Sequence, residues 1–198
     1  MSTHGNKWVG EAAVQEEGCR ALCNAAFNSN NQEKLIAIGA HDAVREAMAA
    51  YPERMDLQEI GCCFIGNVTT ENDEAKKKLG PMTGLVLAAL GAHPTVADLQ
   101  EEGWRALIGL VQEKENRSLA ISEGGLKVIV DVMRDTDDAS ILRFGCLALL
   151  QLVKDNEVRK PVVDLGATPI LAAGIKNFPD DAGLQEVGNK LMKKLGRA

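Results

Sequence analysis

Five cysteines, three histidines and one acidic run are the residues of this 198-residue chain with the means to do chemistry. Cys19 and Cys23 stand four apart, which puts two thiols on one helix face, but a zinc site needs four ligands and no third or fourth lies nearby. Cys19, Cys62 and Cys146 each follow a glycine, and Trp104 follows the corresponding glycine. A position that accepts tryptophan is a packing position. His4, His41 and His93 have no serine or cysteine partner at a recognisable spacing, and neither a phosphate loop nor a zinc-protease motif occurs. Asp135-Thr136-Asp137-Asp138 carries half the acidic pattern of a calcium loop but lacks its glycine and its terminal glutamate. A turn in which Asp138 or Ser140 caps the next helix is expected instead. The sequence therefore predicts no catalytic residue, no metal and no cofactor. An odd cysteine count used this way predicts reduced thiols in the cytosol, with the nucleus as the other compartment that fits.

The elements that would have to position any site are written as a repeat. Leu57-Gln58-Glu59-x-Gly61-Cys62 returns as Leu99-Gln100-Glu101-x-Gly103-Trp104, with variants beginning at Val14, Ile141 and Leu184. Gly18, Gly61, Gly103, Gly145 and Gly188 are 43, 42, 42 and 43 residues apart. Pro52, Pro94 and Pro179 follow Tyr51, His93 and Phe178, nine residues before the repeat glycine, where proline ends one helix and sets up the next. Gly39, Gly80, Gly124 and Gly166 form a third series, placed as helix-ending glycines before a new apolar run. Three punctuation marks per unit predict three helices per unit: a long one through the repeat glycine, a short one opened by Asn31, Asn72 or Asn116, and a medium one ending at the proline.

A long helix near Glu11 to Asn28 opens the array and another near Asp180 to Leu195 closes it, giving about four repeats plus a terminal helix. Residues 1–10 read as a tail and 11–198 as a single domain. A period in the low forties marks an all-α solenoid, in which each unit buries its apolar face against its neighbours. Composition agrees: apolar residues make up 45% and aromatics only 4%, so Leu, Ala, Val and Ile do the packing. The net charge of −6 argues against binding nucleic acid, and Lys76-Lys77-Lys78, flanked by acids, reads as a solvated helix face. No apolar run is long enough for a bilayer, and Met1 to Gly10 lacks the order of a signal peptide, so neither membrane nor export is expected.

Gly18-Cys-Arg-Ala-Leu-Cys-Asn24, Gly61-Cys-Cys-Phe-Ile-Gly-Asn67, Ser122-Glu-Gly-Gly-Leu126 and Leu165-Gly-Ala-Thr-Pro169, set at a period near 42, resemble armadillo repeats. The Leu-Gln-Glu-x-Gly-Cys subtype is similar to repeats of large eukaryotic scaffold and kinase-associated proteins. The resemblance runs from Val14 to Leu195 and implies a right-handed superhelix of armadillo-type three-helix repeats that binds other proteins. In that family an asparagine in a concave groove grips the backbone of an extended peptide; the matching positions, six after the repeat glycine, are Asn24, Asn67, Gly109 and Gln151. Bonding to a neighbouring helix is the other use open to such an asparagine. The groove tryptophan of nuclear-import receptors falls at Arg20, Cys63, Arg105 and Leu147, so that function is not implied.

Helix geometry puts the residues one before the glycine and two, six and ten after it on one face. This face reads Glu17-Arg20-Asn24-Asn28, Ile60-Cys63-Asn67-Glu71, Glu102-Arg105-Gly109-Glu113, Phe144-Leu147-Gln151-Asp155 and Val187-Lys190-Lys194. Phe144 and Leu147 break its polarity and suggest a contact patch. Glu71, Glu113 and Asp155 make an acidic row suited to a partner with Lys or Arg, unless they serve as helix-terminal caps. Arg20 and Arg105 are expected to pair with Glu17 and Glu102. The leading expectation is a non-catalytic module that holds an extended peptide or a helix of a partner protein in this groove. The alternative is a scaffold segment, or a homodimer formed through the open solenoid ends.

Overall fold

The computed structural model describes residues 12–196, and among these it holds 13 helices and no strand. The tail expected over residues 1–10, including His4 and the Trp8-Val9 pair, and Arg197 near the other end lie outside the described residues. The chain is an all-α solenoid.

Its first unit is α1 (Ala12–Ala26), α2 (Ser29–Ala37) and α3 (Ala40–Ala50). The second is α4 (Met55–Thr69), α5 (Asp73–Lys78), a 3-10 turn (Gly80–Met82) and α6 (Thr83–Ala92). The third is α7 (Ala97–Leu110), α8 (Lys114–Ser122) and α9 (Gly125–Asp135). The fourth is α10 (Ala139–Leu152), a 3-10 turn (Asn156–Val158), α11 (Arg159–Asp164) and α12 (Ala167–Asn177), and α13 (Ala182–Leu195) follows. Successive long helices pack on one another, and α4, α7, α10 and α13 each pack on the medium helix before them.

The repeat glycines mark the crossing of those last two. A methyl group on Gly61 would stand 2.5 Å from Met48 Sδ, one on Gly103 2.7 Å from Leu90 Cδ2, and one on Gly145 2.5 Å from Met133 Sδ. The glycine is thus the hole into which the preceding medium helix sets a large apolar side chain. Three residues earlier, a carboxamide ties the same two helices. Gln58 donates to Met48 O and Tyr51 O, Gln100 to Leu90 O and His93 O, and Gln185 to Ile175 O and Phe178 O, at 2.7–3.1 Å. Each satisfies last-turn carbonyls that a helix leaves without a partner. Gln100 also accepts from the Trp104 indole at 3.0 Å. The fourth unit has Leu142 in this position.

Three of the expected helix-ending glycines, Gly39, Gly124 and Gly166, take left-handed φ of 76°, 78° and 87°. Gly80 does not; it opens a 3-10 turn between α5 and α6, 19 residues after its repeat glycine where Gly39, Gly124 and Gly166 stand 21 after theirs. Of the expected short-helix openers, Asn72 is an N-cap, accepting from Ala75 N at 2.9 Å. Asn31 and Asn116 instead lie inside α2 and α8 and donate backwards to Ala25 O and Leu110 O, which closes the long helix before them. Asn116 also reaches Lys76 O at 2.8 Å, joining two units. Lys76 departs from the solvated-face expectation: it is buried and pairs with Asp73, whereas Lys78 pairs with Glu74 at the surface. Asp138 caps α10 as expected, accepting from Ser140 N.

Candidate functional site

The expected binding face is the side along which α1, α4, α7, α10 and α13 succeed one another. Its twelve candidate residues divide by what the fold has already done with them.

Ile60 is buried, which removes it from the groove. Asn67 is also buried, 6% exposed, and its carboxamide is engaged. Its Oδ1 accepts from Arg105 Nη1 at 2.9 Å, and its Nδ2 points at Cys23 O, 3.5 Å away, and at the Cys23 and Cys63 sulfurs, 3.7 Å from each. The asparagine bonds neighbouring helices. Gly109 stands where the next asparagine would be, since a side chain there would meet Thr69 Oγ1 at 2.6 Å. Across the same seam Arg105 lies over Gly66, where a Cβ would come within 3.0 Å of the guanidinium carbon. The pairing of α4 with α7 therefore fills the middle of the expected groove with its own side chains.

Asn24 is exposed, and so is Arg20, which pairs with Glu16 at 3.2 Å and with Glu17 at 3.7 Å. Arg105 is held by Glu102, as expected. Phe144 and Leu147 are half-buried rather than free: Phe144 packs against the core with the Arg143 guanidinium 5.5 Å above its ring. Gln151 is half-buried, and its Oε1 is a buried acceptor without a donor among the described residues. The acidic row is not uniform. Glu71 is exposed, at a left-handed φ of 56° just beyond α4; Glu113 occupies the N-cap of α8; Asp155 Oδ2 faces Arg117 Nε at 3.5 Å. The Glu113 side chain makes no capping bond there, so of the three only Asp155 is tied to a neighbouring short helix.

A different acidic group went unnoticed in the sequence. Burial raises the Glu59 carboxyl pKa above its ordinary value, and the charges of Asp98, Asp56 and Glu102 raise it further. The signal was present: Asp56 and Asp98 each precede the Leu-Gln-Glu of a full repeat, so neighbouring units bring their acids together. Glu16 shows the opposite effect, its carboxyl held low by the Arg54 side chain 2.9 Å away. Cys19, Cys23, Cys62 and Cys146 are buried and Cys63 half-buried; burial pushes Cys146 up to about 12 and Cys19 up to about 11. No group of three or more His, Cys, Asp or Glu among the described residues is arranged to hold a metal ion.

No protein-family model matches the chain. Solved structures match its fold. The crystal structure of one engineered protein superimposes with a TM-score of 0.78 at 24% identity, over 96% of this chain and 77% of that one. A second engineered protein gives 0.78 at 20% identity, over 94% of this chain and 45% of its own length. A designed armadillo repeat protein gives 0.63 at 15% identity, over 94% of this chain and 95% of the design. The class defined by the helix order and these likenesses is the armadillo-like repeat solenoid.

Proposed function

We propose that the chain is a non-catalytic protein-binding module of right-handed armadillo repeats, with the 42-residue period and the Leu-Gln-Glu-x-Gly-Cys subtype read from its sequence. It takes an extended peptide or a partner helix along the face formed by its long helices. The observation that carries this reading is that face: five long helices succeed one another, and Arg20, Asn24, Cys63, Arg105, Phe144, Leu147 and Gln151 all remain at least partly accessible on it. Proteins recognise chain segments with such mixtures of carboxamide, guanidinium and half-buried apolar groups. The partner segment is basic, because the negative field around Glu59 favours a cation and because Glu71 and Glu113 add charge at the far ends of the same helices. Reduced thiols suit a cytosolic setting, and the nucleus equally.

The test selects binders from a library of extended peptides and measures their affinity at two salt concentrations. Lys- or Arg-bearing binders whose affinity falls with salt are expected. Asn24→Ala combined with Leu147→Ala and Gln151→Ala should lower affinity about 10- to 100-fold with little change in helicity. Acidic binders, or unchanged affinity in the triple variant, would move the site off this face.

A second reading is favoured by where apolar residues stay bare. Among the described residues Val14, Phe27, Ile38, Met55 and Leu119 are the large apolar side chains left exposed; the first four lie in the first unit or at the start of α4, and Leu119, the least exposed, lies on α8. Val14 occupies the position that Leu57, Leu99 and Leu184 fill buried and Ile141 fills half-buried in later units. Self-association through this end predicts a mass in solution that grows with concentration and a Val14→Lys variant that stays monomeric; groove recognition alone predicts a constant mass.

A further inference from the structure

Cys23 on α1 and Cys63 on α4 belong to adjacent units, yet their sulfurs are 2.7 Å apart, within bond-forming reach. No other pair among the five cysteines makes such a contact. The two thiols differ in surroundings. Cys23 is 5% exposed, whereas Cys63 is half-buried on the long-helix face. Arg105 Nη2 lies 3.7 Å from the Cys63 sulfur and 3.4 Å from its carbonyl oxygen, and Asn67 Nδ2 lies 3.7 Å from both sulfurs. A cation and an amide donor aimed at a sulfur stabilise its anion.

We propose that Cys23 and Cys63 form a peroxide-oxidised thiol pair, with Cys63 as the attacking sulfur, Cys23 as the resolving one, and a disulfide between α1 and α4 as the product. The chemistry balances in two steps. The Cys63 thiolate attacks one oxygen of hydrogen peroxide; the S–O bond forms, the O–O bond breaks, and the departing hydroxide takes up the proton lost by the thiol, leaving a sulfenic acid and one water. Cys23 then attacks the Cys63 sulfur; the S–S bond forms, the S–O bond breaks, and the hydroxide leaves with the Cys23 proton as a second water. Two thiols lose two electrons and one peroxide gains them. A dithiol reductant reverses the product.

The local acid–base balance points the same way. The Cys23 thiol, donating to its neighbour, holds Cys63 below the usual thiol range, helped by Arg105 and opposed by burial and by Glu102; the same contact, with burial, pushes Cys23 up. Cys62 is fully buried next to Cys63 and is pushed up by burial, so it does not compete. The inference stands independently of peptide binding.

The experiment treats the reduced 198-residue chain with a small excess of hydrogen peroxide and follows intact mass and proteolytic peptides. A loss of about 2 Da that maps to a Cys23–Cys63 link and is reversed by dithiothreitol is expected. In Cys23→Ser, Cys63 should stop at sulfenic acid and be trapped by dimedone; in Cys63→Ser, Cys23 should remain a thiol. Helical circular dichroism of both variants checks that they fold, and the wild-type measurement stands without them. Oxidation that links other cysteines, or a wild-type chain that gains oxygen without losing two hydrogens, would overturn the pair. Dimedone on Cys23 in Cys63→Ser at the rate of Cys63 would overturn the assignment of the attacking sulfur.

Discussion

Asn67 shows what a single carboxamide can be asked to do, since it receives Arg105 from one neighbouring helix and faces the Cys23 carbonyl of another. Replacing it with alanine strands a half-buried guanidinium donor, so Asn67→Ala should cost about 1–3 kcal/mol in urea unfolding. Asn24→Ala, at the equivalent exposed position, should leave stability within about 0.5 kcal/mol. Spacing from the repeat glycine put both asparagines on the right helix and the right face. It left open whether Asn67 bonds a neighbouring helix or a peptide, because the arginine that binds it is 38 residues further along. Glu59 offers a second test. Its folded pKa lies above the unfolded one, so its charge costs stability above the raised value, and the cost lifts as the pH falls through it. Glu59→Gln should raise stability by about 0.5 kcal/mol at neutral pH, with the gain gone by about pH 4. Glu16 runs the other way: its low folded pKa gives stability that is present above the unfolded value of 4.5 and is lost on acidification below it.

At the scale of elements, the junction of each medium helix with the next long helix is the recurring unit of stability. Gln100→Ala removes two donors from last-turn carbonyls and the acceptor of the buried Trp104 indole, and should lower stability by about 2–3 kcal/mol. Gln185→Ala, which loses only the carbonyl contacts, should cost about 1 kcal/mol. Gly61→Ala drives a methyl group into Met48 and should cost about 1–3 kcal/mol, relieved in part by a smaller residue at position 48. The long and medium helices were legible in the sequence to within a few residues, because their glycines, prolines and apolar spacing all recur. The short helices were less so. Asn31 and Asn116 have the residue type of a cap but act from inside the helix, on a carbonyl six residues back, and sequence alone does not distinguish the two uses.

For the whole molecule, the uneven seams between long helices carry a mechanical consequence. At the seam of α4 and α7, Gly66 and Gly109 let Arg105 and Thr69 nest against backbone. At the seam of α7 and α10 the corresponding positions are held by Ile108 and Gln151, and those two helices pack less extensively than α4 and α7. A stack of coils behaves as a spring whose compliance collects where adjacent coils interlock least. Amides of α4 and α7 should therefore exchange with deuterium more slowly than those of α10 and α13. Pulled or twisted from its ends, the array flexes between its third and fourth units, and a rod laid along the long helices would feel a stiff half and a pliant half.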